Sequence, residues 1–430
     1  MTRHRCQAAR WLGPAVLAGL VIACAENEGQ EQPPPTPNAG REIVSTALKF
    51  DVGARSGHAT ITFAASAAPG ASLEVGDLII DSVSLPFAVA GARMDLALPA
   101  AGMPLAVEVA FHYRQQAGFT GASAAGFTFV WPTYCGNLFP CHSAPSDGAS
   151  FTLALSGVPA GQAAVYAASI GPEAPAYQVA WAIGDYTEVP LGTTAAGTQV
   201  SVWHLAGEAA AAAAGTQHLA AAFDWMERTL GPYRFGRHVG TVSIDWPGGD
   251  FGGMEHHPRW HVDRDSLADP VIHVHEAAHG WFGNGVRLRC WEDFVLSEGT
   301  TTYLAARALE VVAPAAGAQA WRGYAAQLAA VPGAAPVWPA TCGQVGVVEA
   351  GLATSAPYLR GAFLLKGIAD KVGAEPLDRA LASFYTANAG ATATMAELLQ
   401  TIGRVTGYDP TACAQRWLRT LDRPSPGPCP

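Results

Sequence analysis

Charge is scarce in this chain. Only 14% of its 430 residues are charged, with 25 Lys and Arg against 35 Asp and Glu. With few cations and no basic run, a nucleic-acid-binding surface is excluded. Long apolar runs are also missing after the first two dozen residues. The run Ala209 to Ala214 favours a helix but lacks the apolar bulk of a membrane span. The paired C-x2-C spacing of a Cys-ligated metal centre does not occur. Helical periodicity is absent from the first half, where Gly and Pro punctuate short strand-like segments.

The N-terminus carries what the rest lacks. Arg3, Arg5 and Arg10 precede an apolar stretch from Trp11 to Ala23, the pattern of an export signal. It ends Val21-Ile22-Ala23-Cys24, which resembles a bacterial lipobox and implies cleavage before a lipidated Cys24. An ordinary secretory signal is the alternative. Residues 1–23 read as a signal peptide and 24–41, rich in Pro and polar residues, as an extended tether. Without the signal, 22 basic residues face 35 acidic ones. The expectation is an exported protein, anchored in the bacterial cell envelope through Cys24 or else secreted. The remaining six cysteines are an even set in an exported chain and suggest disulfides, with fifteen possible connectivities. Cys135–Cys141 and Cys413–Cys429 are the local pairings expected.

Residues 42–200 form a β-rich N-terminal domain on this reading. Ala59 to Phe63, Leu105 to Tyr113 and Phe151 to Leu155 combine alternation with short apolar runs. The second unit, 201–430, opens with a predicted helix from Leu205 to Leu230, ended by Gly231 and Pro232. A strand from Thr241 to Asp245 follows, and the chain after Glu298 reads as helical.

The most informative stretch runs from His275 to Tyr303. His275, Glu276 and His279 have the spacing H-E-x-x-H, which on a helix puts both imidazoles on one face, able to share an ion. Glu298 follows eighteen residues after His279. It completes a His2Glu set that leaves a fourth position to water, the pattern of a catalytic zinc. Glu276 falls beside that water as its base. His256, His257, His261 and His273 lack such pairing and are read as ordinary surface or core histidines.

The flanks of this stretch carry a family resemblance. HEAAHGWFGN and WEDFVLSEGTTTYL resemble the zinc helix and third-ligand helix of the aminopeptidase N and leukotriene hydrolase family of gluzincins. Ser297 stands where that family usually has Asn. Gly252-Gly253-Met254-Glu255-His256 resembles its G-x-M-E-N motif, with His256 in the place of Asn. By that resemblance Gly252, Gly253, Met254 and Glu255 line the substrate cleft, and Glu255 binds the free α-amino group. A Gly-rich turn with a solvated Glu is the alternative. Pro357 to Ile368 resembles the helix with the catalytic tyrosine, matched by Tyr358, and Arg360 stands for its usual Lys. Two weaker matches, Asn137 to Phe151 and Trp181 to Asp185, fall in the N-terminal half. Around Thr133 to Gly136 no acid or amide marks a second amine anchor. The chain stops shortly after Trp417, without the large C-terminal helical domain of many relatives, which implies an open cleft.

The resemblance implies a multidomain α+β chain. A sandwich- or saddle-like β domain precedes a thermolysin-like zinc peptidase domain whose C-terminal half is mainly helical. It implies one Zn2+ per chain on His275, His279 and Glu298, with Glu276 and Tyr358 catalytic, and peptides as substrates. An endopeptidase, an epoxide-hydrolase-like enzyme and a non-catalytic surface binding protein are the competing readings.

Overall fold

The computed structural model describes residues 35–246, 252–331, 337–340, 342–343, 347, 352–421 and 424–430. The expected signal, Cys24 and most of the tether lie outside the described residues.

Alternating burial builds the first half. In the strand Ser56–Phe63, Gly57, Ala59, Ile61 and Phe63 face inward while their neighbours are only partly covered. Leu105–His112 repeats the pattern with Val107, Val109 and Phe111. They belong to a six-stranded sheet ordered Ser169–Ala174, Ala149–Ser156, Ile43–Asp51, Ser56–Phe63, Leu105–His112, Ile79–Val83. Among the described residues before 209, helix is limited to two three-residue 3-10 turns, Cys135–Asn137 and Ala176–Gln178. The N-terminal half is thus β-rich.

A five-stranded mixed sheet follows, ordered Thr187–Thr193, Gln199–His204, His238–Ile244, Arg259–Asp263, Gly253–Met254. Its three central strands are parallel and its edges antiparallel. A division at 200/201 cuts through the strand Gln199–His204, whose edge neighbour Thr187–Thr193 belongs to the same sheet.

Among the described residues the helices of eight residues or more are α1 (Ala209–Thr216), α2 (Leu219–Leu230), α3 (Pro270–Ala278), α4 (Phe294–Val312), α5 (Pro314–Ala330), α6 (Ser355–Val372), α7 (Ala374–Asn388) and α8 (Met395–Thr406). The single helix expected from Leu205 to Leu230 is therefore two, and it begins later. The Thr216 hydroxyl bonds back to the Ala212 carbonyl. Gly215 lies so close to the Leu267 carbonyl and His273 that no side chain fits. The chain turns at Gln217 and His218 to accommodate that approach. Gly231 ends α2 with φ 121°, open to Gly at little cost.

Three disulfides staple the chain: Cys135–Cys141, Cys290–Cys342 and Cys413–Cys429. Two are the local pairs expected from sequence. The third joins the start of α4 to the chain between α5 and α6.

Candidate active site

Each helix that carries a site residue starts for a local reason. Asp269 caps α3 by accepting from the Val271 amide, and Pro270 follows with its φ already helical. This places His275 and Glu276 on α3, with His279 at its C-terminal cap. The 3-10 turn Trp291–Asp293 leads into α4, which carries Glu298 near its start. Tyr358 lies in the first turn of α6.

The three candidate ligands converge. His275 Nε2 is 3.2 Å from both His279 Nε2 and Glu298 Oε2, and His279 Nε2 is 3.4 Å from the same oxygen. The edges of a tetrahedron with zinc–ligand bonds near 2.05 Å are about 3.3 Å, so one ion fits at the centre of this triangle. His279 Nδ1–H donates to the Phe282 carbonyl, which turns its Nε2 towards the triangle as the ligand nitrogen, and His275 Nδ1 lies 3.4 Å from Thr302 Oγ1. Ser297, at the position where the sequence departs from the family pattern, lies 3.3 Å from His279 Nδ1 and 3.2 Å from Glu298 Oε1. It braces both ligands from behind.

Electrostatics also call for a cation. Glu255, Glu276 and His279 offer atoms within 4.8 Å of one another, all buried. Burial raises the Glu255 pKa to about 7 and pushes Glu276 well above the ordinary carboxylate value. Burial alone would lower His279, but Glu298, Glu255 and Glu276 draw it up to about 10. Burial would likewise raise Glu298, yet His279 and the hydrogen bonds from both histidines hold it at about 2. Three carboxylates compete for one positive charge, and Glu276 Oε2 is buried without a hydrogen-bond partner. A divalent ion at the triangle satisfies this arrangement better than a proton does.

Tyr358 stacks on His275, ring centroids 5.8 Å apart, and its hydroxyl bonds Glu298. Burial first, then the nearby carboxylates, keep it protonated and able to donate. The strand Gly253–Met254 runs over Glu276. A Cβ on Gly253 would fall on that carboxylate, so only Gly allows the backbone this close.

A cleft of about 1000 Å³ holds Gly252, Gly253, Met254, Glu255, His275, Glu276, His279, Glu298 and Tyr358 together. His256, His257, His261 and His273 are all buried. His257 donates from Nε2 to the Glu276 carbonyl and accepts the Tyr233 hydroxyl. His273 is held by Thr241 and the Leu267 carbonyl. His256 and His261 lie edge to face, centroids 4.7 Å apart. Burial holds His256, His257, His261 and His273 low enough to be neutral.

Sequence reasoning missed the link from the first half of the chain. Tyr177 donates to Asn284 Oδ1 at 2.8 Å, and Asn284 Nδ2 donates to the Glu255 carbonyl at 2.7 Å. His256 Nδ1–H donates to the Tyr177 carbonyl at 2.8 Å. It also missed Trp131, which among the described residues is the one before 201 that lines the cleft. No periodicity marks these, because a hydrogen bond between residues a hundred positions apart leaves no local pattern. Arg360 faces away from the cleft chemistry. Its guanidinium holds the Trp417 and Thr420 carbonyls, joining α6 to the end of the chain.

Residues 257–417 match the family described as the Peptidase family M1 domain. Aminopeptidase B of Rattus norvegicus is 34% identical over 188 residues, which cover 38% of this chain and 27% of that protein. Leucine aminopeptidase 2 of Neurospora crassa is 29% identical over 219 residues, covering 44% and 31%. These matches take in less than a third of either relative. A crystal structure of an M1 zinc metallopeptidase from Deinococcus radiodurans superposes with a TM-score of 0.76 at 20% identity, covering 91% of this chain and 97% of that one. A mutant of the Deinococcus enzyme bound to a Tyr-Ser-Ala substrate gives 0.77 at 19%, covering 90% and 96%. At that identity the likeness is one of fold.

Proposed function

We propose that this chain, whose residues 257–417 form a Peptidase family M1 domain, is a zinc-dependent aminopeptidase that removes residues one at a time from the N-terminus of peptides. The observation that carries this reading is the convergence of His275, His279 and Glu298 on one point, with the Glu276 and Glu255 carboxylates beside it. One zinc per chain on those three ligands would polarise the scissile carbonyl and make water nucleophilic near neutral pH. Glu276 takes a proton from the attacking water and passes it to the leaving amine. The Tyr358 hydroxyl donates to the oxygen on which negative charge develops. Glu255 pairs with the substrate's α-ammonium, a strongly hydrated cation that needs an opposite charge once buried. Fixing that ammonium fixes which peptide bond reaches the base.

The test is a panel of free and N-acetylated peptides, with and without a chelator. Acetylation removes the ammonium and leaves Glu255 buried and unpaired, a loss of about 3–5 kcal/mol. Free peptides should be trimmed stepwise and acetylated ones hardly at all. Glu255→Ala should narrow the gap by slowing free peptides most. Equal cleavage of both would refute the aminopeptidase reading and favour the endopeptidase alternative.

The proposed setting is the bacterial cell envelope, with Cys24 lipidated. Mass spectrometry of the mature N-terminus decides it, and a free N-terminus elsewhere rules it out.

A further inference from the structure

The cleft is larger than the zinc end requires, and the excess has a shape. Its far part is walled by one face of α5: Ala316, Gln319, Ala320, Gly323 and Gln327 recur every three or four residues along the helix. From Ala316 to Gln327 this stripe is about 16 Å long, at 1.5 Å per residue. An extended peptide covers that length with about five residues. The end of α1 and the starts of α3 and α6 add to the lining, with Gln217, His218, Asp269, Thr354 and Ser355 contributing polar groups.

The chemistry of the stripe is that of a peptide backbone. Gln319 and Gln327 each offer an amide that donates and accepts, matching successive N–H and C=O groups. Between them Ala320 and Gly323 leave room, and the Tyr324 ring adds an apolar wall. Among the described residues no Lys or Arg lines the cleft, whereas Glu255, Asp269, Glu276 and Glu298 do.

We infer that the arm along α5 binds the downstream backbone of the substrate, so that the preferred substrates are peptides of about five residues or more, with neutral or basic residues after the cleavage point. Dipeptides are disfavoured because they end before the arm and forgo the amide hydrogen bonds of Gln319 and Gln327. This rests on the aminopeptidase reading above.

The experiment compares kcat/KM for an aminoacyl 4-nitroanilide and for free di-, tri-, penta- and heptapeptides that share that first residue. Two amide hydrogen bonds are worth on the order of tenfold, so pentapeptides should exceed dipeptides by about that factor, with little gain beyond. Gly323 provides the probe, since a Cβ there meets nothing within 4 Å. Gly323→Phe should fill the arm and collapse the pentapeptide-to-dipeptide ratio towards one, while Gly323→Ala retains it. A flat length series in an enzyme that cleaves the anilide would overturn this inference alone. So would a ratio unmoved by Gly323→Phe. No anilide cleavage by the zinc-loaded protein would sink the aminopeptidase reading and this inference with it.

Discussion

Gly299 and Gly361 meet where α4 crosses α6. A Cβ on Gly299 would lie 2.7 Å from the Gly361 Cα, and one on Gly361 would lie 2.5 Å from the Gly299 Cα. Gly299 follows Glu298 and Gly361 lies three residues after Tyr358, so this backbone contact lets the tyrosine hydroxyl reach the carboxylate. Gly361→Ala should force the helices apart at a cost of about 1–3 kcal/mol and displace Tyr358. Denaturant unfolding checks the first effect and kcat the second. An unchanged midpoint would show that the crossing tolerates the extra methyl group.

His279→Ala should abolish tight zinc binding, because two ligands remain of a triangle that needs three. Elemental analysis of the purified variant measures it. Full occupancy would remove His279 from the ligand set.

Glu276→Gln keeps shape and size but cannot accept a proton. It should retain zinc and lose turnover by several orders of magnitude. Near-normal rates in a zinc-replete preparation would assign the base elsewhere.

Tyr358→Phe should lower kcat more than it raises KM, since an oxyanion donor acts mainly in the transition state. The typical loss is about 2.7–4 kcal/mol, or a hundred- to a thousandfold in rate. An unaltered kcat would leave Tyr358 as packing for His275.

His142 offers a pH test remote from the metal. Burial would lower its pKa, but the Asp147 side chain, with help from the Ser72 carbonyl, raises it above 6.5. A raised folded pKa means that the stabilisation is fully present below the unfolded value and fades as pH rises through the folded one. The difference in Tm between the natural protein and His142→Gln should therefore be largest at acid pH and shrink above neutrality. A difference that grows with pH would contradict the assignment.

What the sequence disclosed follows the range of each interaction. His275 and His279 are one helical turn apart, so their shared face is legible in the letters. Glu298 was legible through its spacing and flanks. Glu255 was visible only by resemblance, because its position depends on an edge strand paired to Arg259–Asp263. The break between α1 and α2 was hidden, since it answers to Leu267 and His273, fifty residues away. Cys290 and Cys342, 52 residues apart, carry no local pairing signal and are the two that the local pairs leave over. Trp131 reached the cleft unseen for the same reason.

The Tyr177–Asn284–Glu255 relay bears on how the chain can be divided. Glu255 directly follows the two-residue strand Gly253–Met254, and its carbonyl is held by an asparagine whose other end is held by the first half of the chain. A fragment starting near residue 201 would keep His275, Glu276, His279, Glu298 and Tyr358, yet it would release the clamp on Glu255. Such a piece could still collect zinc while losing its sense of where a peptide begins. Grafting this second half onto another β domain would need a tyrosine delivered to the same spot. The two halves are parts of one tool and cannot be traded separately.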